Sequence, residues 1–405
     1  MTKLLVFLLL LESCFGLWAQ ERSYIYIYNI ILAISTVLYY RKTKKQKKSI
    51  ESKIVLFFVL SLIVNIIACY INRGQTILQS LRESELLYYG YFMFFFVLCL
   101  SKISVKSCEK IIRICFFIAC IVYLSEYFIF FPKPIINMLY FEEGEHRMRI
   151  VGQMVIFIGY FYYLNRFLTS KNKFNVENIA GLFLGFIVIL TLGFRSSLIA
   201  SVLVSFLLVM RQRGKNVISV VPYIIALAVV FLIVFNTDYG QETLLNMITR
   251  QQEGKTLDNE DYIRVLEWNY FVNDHFVSVG DYIFGSGIPN YDSSYGQQIY
   301  NLFDFNKFGE PTTSIAQWRD WGIVGFSWIL GIPAALVLVF FDLYMIFKKT
   351  PKEYYYISAT YLFLLLIFVT TMEFYRQGSF AFHGLMLYIL SKVAISKENA
   401  AKNKL

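Results

Sequence analysis

Ile179 to Met210 is an apolar run of 32 residues that carries one charge, Arg195, within "TLGFRSSLIASVLV". As a single helix it would be about 48 Å long at about 1.5 Å per residue, against a bilayer core of about 30 Å. Lys171–Lys173 precede it and Arg211–Lys215 follow it. Short basic loops stay on the cytoplasmic side of a membrane. Both ends of the run therefore lie on one side, and it must cross an even number of times. The expectation is two short helices with "GFRSS" as the turn between them. Gly193 permits the bend, and Arg195 then stands at the outer end of the pair. At mid-depth its charge would cost roughly 3–15 kcal/mol.

The same logic organises the rest of the chain. Apolar spans read as Leu4–Trp18, Tyr24–Tyr40, Ile54–Ile71, Leu86–Leu100, Ile111–Phe131, Ile150–Leu168, the Ile179–Met210 pair, Val217–Phe235, Trp321–Phe347, Tyr354–Met372 and Phe380–Ile395. Basic loops at Arg41–Lys53, Lys102–Lys110, Lys171–Lys173, Arg211–Lys215 and Lys348–Lys352, with the Lys397–Lys404 tail, alternate with them. The expected fold is an all-α polytopic membrane protein with about twelve transmembrane helices and both termini cytoplasmic. Residues 1–235 hold about nine spans, 236–320 form one long outer loop, and 321–405 hold about three spans and a tail. The composition agrees, at 57% hydrophobic and 18% aromatic residues, with a mean hydropathy of +0.54. The first span could instead be a signal peptide, but "GLWAQ" is a poor cleavage site. The net charge of +10 sits mostly in short loops and tails, so it is not a nucleic-acid signal. All six cysteines fall in the first third, leaving the long loop without disulfides. No Cys/His spacing suits a metal, and no metal or cofactor is expected.

The outer loop carries thirteen acidic residues against five basic ones. Loops of this length in a compact protein tend to be functional or to hold their own structure. "DNEDYIRVLEWNYFVNDHFV" reads as a helix, with acidic residues in its first turn and an apolar stripe of Ile263, Leu266, Tyr270 and Phe271. "FGSGIPNYDSSYGQQ" reads as loop. Trp318, Trp321 and Trp328 gather where the next span begins, as in an aromatic belt.

Three ordered elements carry a resemblance: "GFRSS" at the outer helix turn, "YIRVLEW" leading to "FGSGIP" in the long loop, and "SIAQWRDWGIVGF" entering the next span. Together, from about Ile179 to Phe347, they resemble the O-antigen polymerase/ligase family, the Wzy-type bacterial polysaccharide polymerases. The resemblance implies a fold like that of the C-type membrane glycosyltransferases. It implies a reaction at the outer face of the bacterial cytoplasmic membrane. A glycan on undecaprenyl diphosphate would pass to the terminal hydroxyl of a second lipid-linked repeat, for O-antigen, capsule or exopolysaccharide. A flippase and a chain-length regulator are the implied partners, with membrane lipid around the protein. Ligases of the family carry a histidine shortly before the last element; "EPTTSIAQWRDWG" has none, which favours a polymerase.

A lipid-diphosphate leaving group gathers negative charge and calls for cations aimed at it. Arginine's planar fork suits phosphate oxygens. Arg195 and Arg264 are the candidates, with Asp320 as a base near the acceptor hydroxyl. Arg147, Arg149, His275 and Arg376 are further substrate-binding candidates. Each has a plainer reading. Arg195 could snorkel at a helix end. Arg264 has Glu260 and Glu267 on its own helix, and Asp320 has Arg319. Arg147 and Arg149 could cancel the glutamates beside them. Glu373, Arg376 and His383 could pair internally at the last outer turn, and "GSG" is a turn before it is a phosphate cradle. The rival class is a lipid-linked oligosaccharide flippase, which should show similar halves and charges lining mid-membrane helices. A sugar transferase with a carboxylate pair in its first outer loop does not fit, because "AQERS" is too short.

Overall fold

The computed structural model describes residues 2–15, 50–83, 103–128, 152–170, 175–192, 195–213, 263–276, 278–302, 321–372, 375 and 377–402, with a few isolated positions between 30 and 41. They form fourteen α-helices and, among the described residues, no strand. In chain order these are α1 Thr2–Phe15, α2 Ile50–Arg73, α3 Ile77–Glu83, α4 Val105–Phe128, α5 Gln153–Thr169, α6 Val176–Thr191 and α7 Arg195–Arg213. After them come α8 Ile263–Tyr270, α9 Val279–Phe284, α10 Ser294–Leu302, α11 Gly322–Leu330, α12 Ile332–Phe347, α13 Tyr355–Ile367 and α14 Gln377–Lys402.

The long apolar run is indeed two helices. α6 begins where the Asn175 side chain accepts from the Glu177 backbone N–H, and ends at Thr191; α7 begins at Arg195. Both pack on α5, and the start of α6 and the finish of α7 reach the same end of it. Glu177 lies 2.5 Å from Arg113 and 3.5 Å from Arg166. Gln212 donates to Asn165 at 2.5 Å and to the Lys352 carbonyl at 2.8 Å. The pair is therefore a hairpin, as the charge argument requires.

This end gathers several of the basic loops. Asn165 donates to the carbonyls of Lys352 and Glu353, Tyr356 donates to Glu109, and Arg211 lies 4.0 Å over the Tyr355 ring. Glu109, Arg211, Gln212 and Lys352, which belong to three of the basic stretches, thus lie at one end of the bundle. At the opposite end α1, α4 and α5 meet, where Tyr123 donates to the Cys14 carbonyl.

The helices are apolar on both faces. α2 buries Phe58, Val59, Leu62 and Ile66, yet exposes Leu60, Ile63, Val64, Ile67 and Ile71. α7 points Ile199, Val202, Leu203, Phe206 and Leu207 outward and turns Ser197, Ser201 and Ser205 inward. Ser201 and Ser205 donate to carbonyls one turn back, and Tyr160 lies 3.1 Å from Ser205. A water-facing helix has the reverse pattern. Among the described residues one stretch, Leu56–Arg73, is by itself long and apolar enough to cross a membrane; Val176–Thr191, Ser196–Gln212, Ile332–Phe347 and Ser379–Val393 are apolar but shorter.

The run expected as one span over Trp321–Phe347 is broken. Gly331 separates α11 from α12 at φ 87, ψ 156, a conformation open to glycine alone, and a proline stands in the first turn of α12. The break makes room for the segment that follows Val279. Gly285, at φ 73 and ψ 172, crosses it so closely that a Cβ there would lie 2.1 Å from the Ile329 carbonyl oxygen. A Cβ on Gly331 would lie 2.1 Å from that of Ile283. Asn65 of α2 sits across the crossing, donating at 2.6 Å to both the Phe284 and Ile329 carbonyls.

Candidate functional site

The segment 263–302 folds down over the ends of α2, α3 and α11. α8 passes into a π-helical turn, Phe271–His275, so the helix expected over 258–277 is present from Ile263 to His275, while its first five positions lie outside the described residues. Phe271 is buried and stacks on Trp328 at 4.2 Å. Trp268, Trp321 and Trp328 form one cluster, with centroids 5.0–6.2 Å apart. Trp328 is buried. It anchors the segment, which corrects the belt expected of it; Trp318 lies outside the described residues. Ser278 and Asp281 then form a capping box that starts α9. The stretch after Phe284 is loop only as far as Ser293, because "SYGQQIYNL" forms α10.

The loop is stitched to the α2–α3 corner by polar side chains. Gln75, fully buried, accepts from Asn290 N–H at 2.8 Å and from the Ser293 hydroxyl at 3.0 Å. It donates to Ser80 and to the Ile288 carbonyl. Asn290 donates to Glu83 at 2.7 Å. The "GSG" amides are spent on structure: Ser286 N–H goes to the Trp328 carbonyl and Gly287 N–H to that of Ile329. The turn reading therefore holds over a phosphate cradle.

At the centre stand Arg73 and His275. Arg73, the last residue of α2, lies 3.4 Å from Asp281, donates to the His275 carbonyl at 2.7 Å, and sits 5.4 Å from the centre of the Tyr295 ring. His275 Nε2 lies 2.6 Å from the Ser286 hydroxyl, which itself donates to the Trp328 carbonyl at 2.8 Å. With its proton committed there, the hydroxyl accepts from Nε2–H. That fixes the tautomer and leaves Nδ1 as a bare acceptor, buried without a hydrogen-bond partner. Burial, and secondarily the Arg73 charge, push the His275 pKa down to about 3. The imidazole is thus neutral at ordinary pH. Burial pushes the Tyr295 hydroxyl well up, so it too is neutral. The arrangement can present one desolvated cation, whose Nε has no partner, beside one oriented imidazole nitrogen. A neutral acceptor of this kind suits a hydroxyl group better than it suits an anion.

Of the residues singled out in the sequence, His275 is in this cluster. Arg195 opens α7 and Arg264 stands in the first turn of α8, both with side chains outside the described residues. Asp320, Arg147, Arg149 and Arg376 lie outside the described residues, as does Glu373. His383 is buried and bonded to Tyr361 at 3.0 Å, an internal pairing. Arg73, Asp281, Ser286 and Tyr295 were not anticipated. One signal for Arg73 existed: by the alternation of basic loops it is a cation on the wrong side. No family model matches the chain and no curated protein matches it.

Proposed function

We propose that this chain is a multi-pass protein of the bacterial cytoplasmic membrane, with about twelve crossings and its basic end facing the cytoplasm. It polymerises undecaprenyl-diphosphate-linked oligosaccharide repeats at the outer face. Support for the membrane reading comes from the hairpin α6–α7, the gathering of basic loops at one end, and helices that are apolar outside and hydroxyl-lined inside. The observation that carries the enzyme reading is the docked segment 263–302. It brings Arg73 and an oriented, neutral His275 together at the end of the bundle opposite the basic loops. Arg195 and Arg264 would supply further positive charge for the diphosphate, Asp320 a base, and Arg147, Arg149 and Arg376 contacts to substrate. No cofactor or metal enters this chemistry.

One observation favours the flippase alternative: Asp342 and His383 are fully buried within the bundle, where a transporter would keep ionisable side chains. Glycan length separates the two readings. A deletion strain that retains single-repeat products but loses long chains supports the polymerase. Loss of all surface glycan supports the flippase. Within the polymerase reading, Arg264→Ala should abolish long chains at normal protein levels. If replacing Glu260 and Glu267 by Gln harms chain length equally, Arg264 serves only to pair with them.

A further inference from the structure

Asp342 lies ten residues into α12 and is completely buried. Its Oδ2 accepts from the Tyr375 hydroxyl. Its Oδ1 is buried with no hydrogen-bond partner, and among the described residues no cation forms an ion pair with it. Behind Tyr375, His383 of α14 stacks on the phenol ring at 5.3 Å and 18°, and its Nδ1 lies 3.0 Å from the Tyr361 hydroxyl of α13. Among the described residues, an ionised carboxylate in this place would be a full charge facing one donor. A neutral acid leaves only a hydroxyl uncovered, and the desolvation penalty of a hydroxyl is far smaller.

We propose that Asp342 is a proton-binding site inside the bundle, carrying its proton at neutral pH and latching the turn after α13 to α12 through Tyr375. The groups facing it support this assignment. α13 contributes Tyr361, the turn contributes Tyr375, and α14 contributes His383 behind them. α11 has no ionisable residue. Asp281 of α9 and Arg73 of α2 pair with each other in the outer cluster. Cys69 belongs to that cluster with Tyr295. Tyr282 of α9 and Tyr70 of α2 are exposed, and Glu51 and Lys53 stand in the first turn of α2.

The latch has a mechanical consequence. Tyr375 packs on Phe368 at 4.6 Å, and the Phe368 carbonyl accepts from Ile323 N–H at 2.7 Å. Ile323 is in α11, whose Trp328 and Ile329 carbonyls hold Ser286 and Gly287 beneath His275. The hydrogen bond between Tyr375 and Asp342 is therefore linked, through Phe368 and α11, to the floor of the outer cluster, whichever reaction occurs there.

The test is infrared spectroscopy of the purified full-length protein in lipid nanodiscs at neutral pH. The wild type should show a protonated-carboxyl C=O band that is lost in Asp342→Asn. In Tyr375→Phe the band should persist and shift to higher frequency, because the carbonyl loses its hydrogen bond. No Asp342-dependent band, with a carboxylate band lost in its place, would overturn the proposal. If Asp342→Asn does not fold, the Tyr375→Phe spectrum decides: identity with wild type in the protonated-carboxyl region refutes the site. Neither readout depends on glycan polymerisation.

Discussion

Adding one methyl group at Gly285 should undock the segment 278–292 from α11. Gly285 has φ 73 and ψ 172, a region in which a side chain costs about 1–3 kcal/mol of backbone strain. The methyl would also lie 2.1 Å from the Ile329 carbonyl oxygen. That oxygen belongs to a helix fixed by its own hydrogen bonds, so the chains must part by an ångström or more. Separation breaks the Ser286 and Gly287 N–H bonds to Trp328 and Ile329, worth about 1 kcal/mol each. The expected penalty is about 3–5 kcal/mol in all. At tenfold per 1.4 kcal/mol this is a hundredfold to several-thousandfold loss of local protection. Hydrogen exchange of the 284–290 amides in detergent or nanodiscs measures it. Gly280→Ala is the control. That glycine lies on α9, and its added methyl meets nothing nearer than Ser278 Oγ at 3.4 Å. It should exchange like wild type. If Gly285→Ala also exchanges like wild type, the close crossing at Gly331 does not hold the segment in place.

Acid should loosen the same segment. The folded pKa of His275, about 3, lies below its ordinary 6.5, so the undocked state takes up a proton first. Docking stability is complete above pH 6.5 and falls as pH drops toward 3, by on the order of 3–5 kcal/mol at the limit. Limited proteolysis at pH 7 and pH 4.5 should show it, and His275→Gln should flatten the dependence. For topology, Asp292→Cys should react with a membrane-impermeant thiol reagent from outside and Lys349→Cys should not; labelling of both from one side would refute the membrane arrangement. Ser293, though in the same loop, is buried and makes a poor reporter. Arg73→Lys keeps the charge but not the paired contacts to Asp281 and the His275 carbonyl, and should raise hydrogen exchange around His275. Unchanged exchange would show that charge alone sufficed.

The pairing of α6 with α7 was legible because two independent constraints met: a run too long for one crossing and basic residues on both flanks. The break at Gly331 was not. "WILGIPAALVLVF" is apolar throughout, so hydropathy carries no boundary, and only Gly331 before Ile332-Pro333 marks it. The segment from Ile263 was legible as a helix followed by a turn, since an apolar stripe and "GSG" are local signals. Its destination was not. Arg73 meets His275 across 202 positions, and Asn65 meets Ile329 across 264. One sequence contains no trace of such pairings. The setting of His275 was not legible either, because a lone histidine in a loop has no visible partner. Its partner Ser286 is held by the Trp328 carbonyl, a contact that exists only once the segment has folded down.

Arg195 is the one charge within the long apolar run. The hairpin puts its backbone at the start of α7, at the end away from Glu177 and Gln212. Two causes could keep an arginine there. If it only snorkels to the interface, lysine serves equally, since it has the same charge and a flexible stem. If it grips a diphosphate through two parallel hydrogen bonds, lysine retains the charge and loses the fork. One lost charge-assisted bond to a leaving group is worth roughly 3 kcal/mol, about a hundredfold in rate. The polymerase reading therefore expects Arg195→Lys to insert normally and make short chains or none. Ser197→Ala should be mild, because Ser197 lies on the buried face of α7 among the helices. Glycan length on a gel beside a blot of the protein reads both variants. Long chains from a well-expressed lysine variant would assign Arg195 to the membrane and leave Arg73 and Arg264 as the cations that meet the diphosphate.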